Sequence, residues 1–193
     1  MNPYFWNGLQ HALAGLGCAW AFFALTRASG APATETTLAS PSDAGRRASR
    51  LGFWLSLAMG SSALFFLPAH IDRPGTWADW LWQLTHYPVP DWDILWLGMP
   101  WHRWFLTHSA VIPFVTMGLT FEHRLWRAVG YGLAVGMASH LAWDAITQSD
   151  RTPIVFLPDL ALRGDSARAW LLVNAAIAFG VAALTAREHR ADL

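Results

Sequence analysis

The sequence predicts an all-α protein, a polytopic membrane helix bundle of about five transmembrane helices with a Trp-rich interfacial cap. Three observations carry this. Of 193 residues, 54% are hydrophobic and only 13% charged, against a charged share of roughly 25% in soluble domains. The mean hydropathy is +0.26. Five stretches, roughly 8–25, 51–68, 104–121, 125–146 and 169–186, each approach the ~17–25 apolar residues that cross a hydrocarbon core of about 30 Å. Together they leave too little chain for a separate soluble domain, so residues 1–193 read as a single membrane domain.

The first span has no Lys or Arg before Arg27 and lacks the positive start of a secretory signal, so it reads as retained. Residues 26–50 are rich in Ala, Ser, Thr, Pro and Gly and read as a flexible loop. That loop carries Arg27, Arg46, Arg47 and Arg50. The turn between the third and fourth spans carries Arg124 and Arg127, and the tail carries Arg187 and Arg190. Five spans put all eight on one side, which the positive-inside rule makes cytoplasmic; the other five arginines fall opposite. The N-terminus is then outside and the C-terminus cytoplasmic, with 69–103 and 147–168 outside. Within 77–104 lie seven of the thirteen Trp, the composition of an outer cap at headgroup level.

Other function classes are excluded early. All thirteen basic residues are Arg and the formal net charge is 0, so no basic patch is available to hold nucleic acid. A single cysteine, Cys18, rules out an internal disulfide and a Cys-based zinc site; it reads as a buried free thiol.

Ionisable groups inside spans are costly and mark function by default. His140 and Asp144 stand four apart on one helix face, with Gly136 and Gly132 continuing the ladder and admitting a close neighbour. Taken alone, such a pair also serves to pin two helices. Asp91 and Asp93 occur in Pro-Asp-Trp-Asp, where Asp also forms turns. His102, Arg103, Thr107, His108 and Ser109 fall in HRWFLTHS, and His11 near the start of the first span. The predicted topology brings His11, Asp91, Asp93, His102, His108, His140 and Asp144 to one depth at the outer face. Imidazole with carboxylate suits a divalent metal: zinc first, with manganese or iron as alternatives. Seven donors exceed the need of one tetrahedral ion, so two or three ions with a bridging Asp are expected. Arg103 is the candidate phosphate binder, Asp93 a candidate general base, and Thr107 and Ser109 candidate hydrogen-bond donors to the ligand residues. His70, His86, His123 and His189 read as interfacial or solvated. Asp150, Asp159 and Asp165 read as turn residues, with Asp159 an outside candidate for an extra ligand. Asn174 reads as an interhelical hydrogen bonder.

The ordered set PDWD, HRWFLTHS and SHLAWDAIT, with the early His11 in LQHALAGLGCAW, resembles the YdjM family of membrane-bound metal-dependent hydrolases (the DUF457 group). The likeness covers about 11–20 and 90–158. Three residues separate Arg103 from Thr107, where two is the family's commoner spacing, which leaves open which of His102 and His108 is a ligand. The order of motifs is more distantly similar to zinc-dependent phospholipases C. The resemblance implies a metal-dependent hydrolase of the bacterial inner membrane. The position of the cluster adds a lipid or lipid-linked phosphoester as substrate. Two other readings stand beside it: a non-catalytic membrane protein with a structural metal site, and a His/Asp proton or ion relay.

Overall fold

The computed structural model describes residues 3–28, 43–65, 75–120, 122–147 and 153–189. Among them are seven α-helices: α1 (Pro3–Ala28), α2 (Asp43–Ser61), α3 (Trp77–His86), α4 (Trp92–Leu97), α5 (Val111–Thr120), α6 (Arg124–Thr147) and α7 (Gly164–Glu188). Two short antiparallel strands, β1 (Ile154–Leu157) and β2 (Leu160–Leu162), form a hairpin. The protein is thus mostly helical, as predicted.

Helix α6 is the hub. It packs most extensively on α2, then on α7, α1 and α5. Small residues make this possible. A Cβ on Gly132 would lie 2.2 Å from Phe53 O, and one on Gly136 2.4 Å from Leu57 O, so only glycine lets the α2 and α6 backbones touch. The glycine ladder therefore has the close-packing role expected of it, and α2 is the neighbour it admits. On α7 a stripe of Ala167, Leu171, Ala175, Ala178, Ala182 and Ala186 is buried at helical spacing.

Phe22 packs on Phe53 and Tyr131, while His11 stacks on His140. Helix α1 therefore runs antiparallel to α2 and α6, and the core clusters give α5 and α7 the same sense as α1. Arg27, Arg46, Arg47, Arg50, Arg124, Arg127 and Arg187 fall at one end of the bundle, and the His/Asp residues at the other.

Two helices, α1 over Phe5–Arg27 and α7, are long and apolar enough to cross a membrane. The five-span expectation needs correction in its elements. The third expected span, 104–121, is helical only over Val111–Thr120, about 15 Å, half a hydrocarbon core. Its first residues cannot continue the helix. The Trp104 N–H is taken by Asp93, the Phe105 N–H by Val155 O and the Arg103 carbonyl by Val155 N–H. Helices α2 and α6 have the length but not the apolarity. Helix α2 begins in a charged turn, and α6 is covered by its neighbours and needs no lipid-facing apolar surface.

The loop expected over 26–50 is shorter, since α1 reaches Ala28 and α2 starts at Asp43; residues 29–42 lie outside the described residues. The cap carries α3, opened by a capping box in which Thr76 Oγ1 accepts from Asp79 N and Asp79 Oδ2 accepts from Thr76 N. Trp77, Trp82 and Trp96 are exposed there; residues 69–74 of the cap lie outside the described residues. Cys18 is a free, half-buried thiol.

Candidate metal centre

One helical turn beyond Gly136, the α2–α6 seam reaches His140. Its Nδ1 lies 3.0 Å from Ser61 O at the end of α2. A carbonyl only accepts, so Nδ1 donates and the Nε2 lone pair is left for the centre. Helix α1 lays His11 flat on His140, ring centroids 4.3 Å apart at 21°. Asp144, one turn further on α6, lies with Oδ1 3.6 Å from His11 Nε2.

The segment 91–110 supplies the other side. Asp91 ends a 3-10 turn (Val89–Asp91) and Asp93 enters α4. Fully buried, Asp93 Oδ2 accepts from Trp104 N at 2.8 Å and Thr107 Oγ1 at 2.7 Å. Arg103 takes a left-handed φ of 66°, a conformation non-glycine residues hold only when the surroundings enforce it. Here β1 pairs on one side. On the other, α7 donates Trp170 Nε1 to His108 O at 2.9 Å and accepts Ala110 N on Asn174 Oδ1 at 2.9 Å. Asn174 thus is the interhelical bonder expected.

Asp91 Oδ1 is the meeting point. It lies 3.5 Å from His140 Nε2, 3.7 Å from His108 Nε2 and 3.8 Å from His102 Nδ1. Asp144 Oδ2 lies 3.8 Å from His140 Nε2 and 3.9 Å from His108 Nε2. These separations are too long for hydrogen bonds. They fit donors sharing a cation, since bonds of ~2.0–2.1 Å to a tetrahedral ion set neighbouring donors about 3.3 Å apart. Asp91 Oδ1, His102 Nδ1, His108 Nε2 and His140 Nε2 are buried and make no hydrogen bond among the described residues. Two groups each bring their donor atoms within 4.8 Å of one another, His11–His140–Asp144 and Asp91–His102–His108. Buried His/Asp groups able to hold a metal ion are therefore present.

The electrostatics agree. Three carboxylates face one guanidinium, Arg103, whose Nη2 is 2.8 Å from Asp144 Oδ2. With neutral imidazoles the centre carries −2, a charge that favours divalent cations among its donors. Burial alone would raise the Asp91 carboxyl, but the imidazoles of His140, His102 and His108 hold it well below the usual carboxylate range. Burial opposes ionisation of Asp93 too, yet His102, His108 and the Thr107 hydroxyl hold it at about 2. Burial alone would lower the His102 imidazole, and Asp93 and Asp91 raise it. Both acids thus stay ionised and draw positive charge to themselves.

The seven expected ligands, His11, Asp91, Asp93, His102, His108, His140 and Asp144, are brought together, along with Arg103 and Thr107. Both His102 and His108 face Asp91, so the variant spacing does not remove either. Asp93 commits one oxygen to Trp104 and Thr107, and that oxygen sits 3.5 Å from His108 Nδ1, where it orients the ring. Arg103 is not an open phosphate fork, being fully buried against Asp144.

Ser109 is a correction. Its hydroxyl donates to Leu106 O and accepts from Val111 N at the start of α5, and it makes no hydrogen bond to a ligand residue. Asp159 is exposed at the hairpin turn, away from the centre. Asp165 is exposed and pairs with Arg168. His86, His123 and His189 stand apart from the cluster, and His70 and Asp150 lie outside the described residues. The Ser61 carbonyl and the Trp170 indole were not legible, since neither carries a motif.

No curated protein and no solved structure matches the chain. A family model does, over residues 49–192, a stretch that contains every member of the cluster except His11. That match spans most of the 193 residues, and the chain belongs to the family described as a domain of unknown function (DUF5942).

Proposed function

We propose that the protein is a metal-dependent hydrolase of the bacterial inner membrane, acting at the outer interface on a phosphoester carried by a lipid or lipid-linked molecule. One observation carries the reading: four buried donor atoms, Asp91 Oδ1, His102 Nδ1, His108 Nε2 and His140 Nε2, converge without hydrogen bonds among the described residues. Buried polar atoms are rarely left unmatched, and divalent cations held among these side chains would match all four. Zinc suits this imidazole and carboxylate set best, with manganese or iron as alternatives. Such an ion supplies an acidified water nucleophile and stabilises negative charge developing at phosphorus.

The chain's own groups do the rest. Ser61 O fixes the His140 tautomer, and Asp93 with Thr107 orients His108. The second Asp93 oxygen makes no hydrogen bond among the described residues and is the candidate proton acceptor. Arg103 holds Asp144 in place and adds positive charge beside the site of attack.

The membrane reading rests on α1 and α7 and on apolar side chains turned outward along the bundle, among them Leu13, Trp20, Leu55, Val115, Leu119, Val173 and Leu184. The gathering of arginines at one end of the bundle supports the N-out, C-in orientation. The likeness to the YdjM family points to the same activity. Turnover of a chromogenic phosphodiester by the detergent-purified chain, dependent on added zinc or manganese and lost in His108→Ala, tests the proposal. Metal-bound protein inert on phosphodiesters, phosphomonoesters and phospholipids would favour the second reading, a structural metal site. The near-complete burial of His11, His140 and Asp144 is the observation behind it.

A further inference from the structure

The two donor groups are alike in chemistry, each with two imidazoles and one carboxylate, but unlike in access. Resting on the reading of the cluster as a metal centre, we infer that they hold two cations with separate tasks. His11, His140 and Asp144 form a retained position that locks the bundle. Asp91, His102 and His108 form an exchangeable position where the phosphoester enters.

Exposure separates them. His11, His140 and Asp144 are at most 3% exposed. They join α1 to α6, and through Ser61 O to α2. A cation there would tie three helices behind side chains that are almost wholly buried. In the other group the Asp91 and His102 side chains are each 18% exposed, while His108 is fully buried and forms the floor. Among the described residues of the cluster, Asp91 and His102 are the side chains with appreciable exposure. Between them in the chain, Trp96, Leu97 and Met99 stand exposed.

Donor number agrees with exposure. Asp91 Oδ1 is 3.5 Å from His140 Nε2, so it serves as the fourth donor of the retained position. Two imidazoles and two carboxylates then complete a tetrahedral shell, the closed arrangement of structural zinc. The exchangeable position keeps three protein donors, Asp91, His102 and His108, and two of these side chains are partly exposed although their donor atoms are buried. Three protein donors is the arrangement of zinc sites that admit water or ligand. Asp91 is shared between the two, so the accessible ion sits against a fixed one.

The full chain, purified in detergent and loaded with zinc, is dialysed against a weak chelator and then a strong one. Zinc content and thermal unfolding are followed at each step. The inference expects two zinc ions to fall to one at the first step with the unfolding midpoint unchanged, and the midpoint to drop only at the second. His102→Ala should bind one ion fewer with an unchanged midpoint, and His11→Ala should lower the midpoint of the zinc-loaded protein. If His11→Ala does not fold, the two-step dialysis of the unaltered chain decides. Ions leaving together, a single ion in total, or a midpoint that falls with the first ion would overturn the division of tasks and leave the metal centre standing. No zinc at any step would overturn the metal centre itself.

Discussion

Adding one methyl group at Gly136 should weaken the metal centre without touching any of its side chains. A Cβ there would sit 2.4 Å from Leu57 O and 3.0 Å from Gly60 Cα, where ordinary contact begins at 3.4 Å. Both obstacles are backbone, so no rotamer change relieves them, and α2 must withdraw locally by about 1 Å from the α6 seam. Overpacking of this kind costs about 1–3 kcal/mol. The same displacement acts one turn away on the 3.0 Å contact between His140 Nδ1 and Ser61 O. Lengthened by about 1 Å, that contact is no longer a hydrogen bond. The His140 ring then loses the partner that sets its tautomer, a loss that lowers metal affinity by about 10–100-fold. Zinc titration of chelator-stripped Gly136→Ala, with thermal unfolding alongside, reads both effects. Gly17→Ala is the control, because a Cβ at Gly17 meets nothing within 4 Å. Wild-type zinc affinity together with a wild-type melting temperature in Gly136→Ala would refute the idea that helix approach positions the ligand.

Asp144→Ala strips the buried Arg103 guanidinium of a carboxylate 2.8 Å away, a break worth about 3–5 kcal/mol. Denaturant unfolding should show that loss, and adding Arg103→Leu to the same chain should recover part of it. Asp93→Asn keeps an acceptor for the Trp104 N–H and the Thr107 hydroxyl but removes the charge facing His108 and His102. It should fold normally by circular dichroism while binding zinc about 10–100-fold more weakly. Asn174→Leu leaves the buried Ala110 N–H without its acceptor and should cost about 1–3 kcal/mol in thermal unfolding.

The site was more legible in the sequence than the elements that carry it. His140 and Asp144 declare a shared helix face by spacing alone. The arginine distribution sets which helix ends lie together, and that alternation is enough to gather His11, Asp91, His102 and His108 around them. The third expected span exceeds helix α5 because Trp104, Phe105 and Leu106 are as apolar as the helix that follows. Composition is silent on the backbone donors that Asp93 and Val155 capture there. The hairpin at 154–162 has a local signal too, in the β-branched and apolar residues that flank Pro158–Asp159. Ser109 and Thr107 look equivalent in the sequence, as hydroxyls two residues apart. The chain turns between them, and only Thr107 meets Asp93. The Arg103–Asp144 pair joins residues 41 apart in sequence across a left-handed turn, and no local pattern announces such a contact.

Metal analysis of the full chain purified in detergent, wild-type beside His140→Ala, tests the central claim most directly, because His140 Nε2 lies next to both Asp91 and Asp144. The account predicts a bound divalent ion in the wild-type protein and a clear loss of it in the variant. A metal-free wild-type chain that also fails to take up zinc, or a variant that holds as much as the wild type, would contradict it.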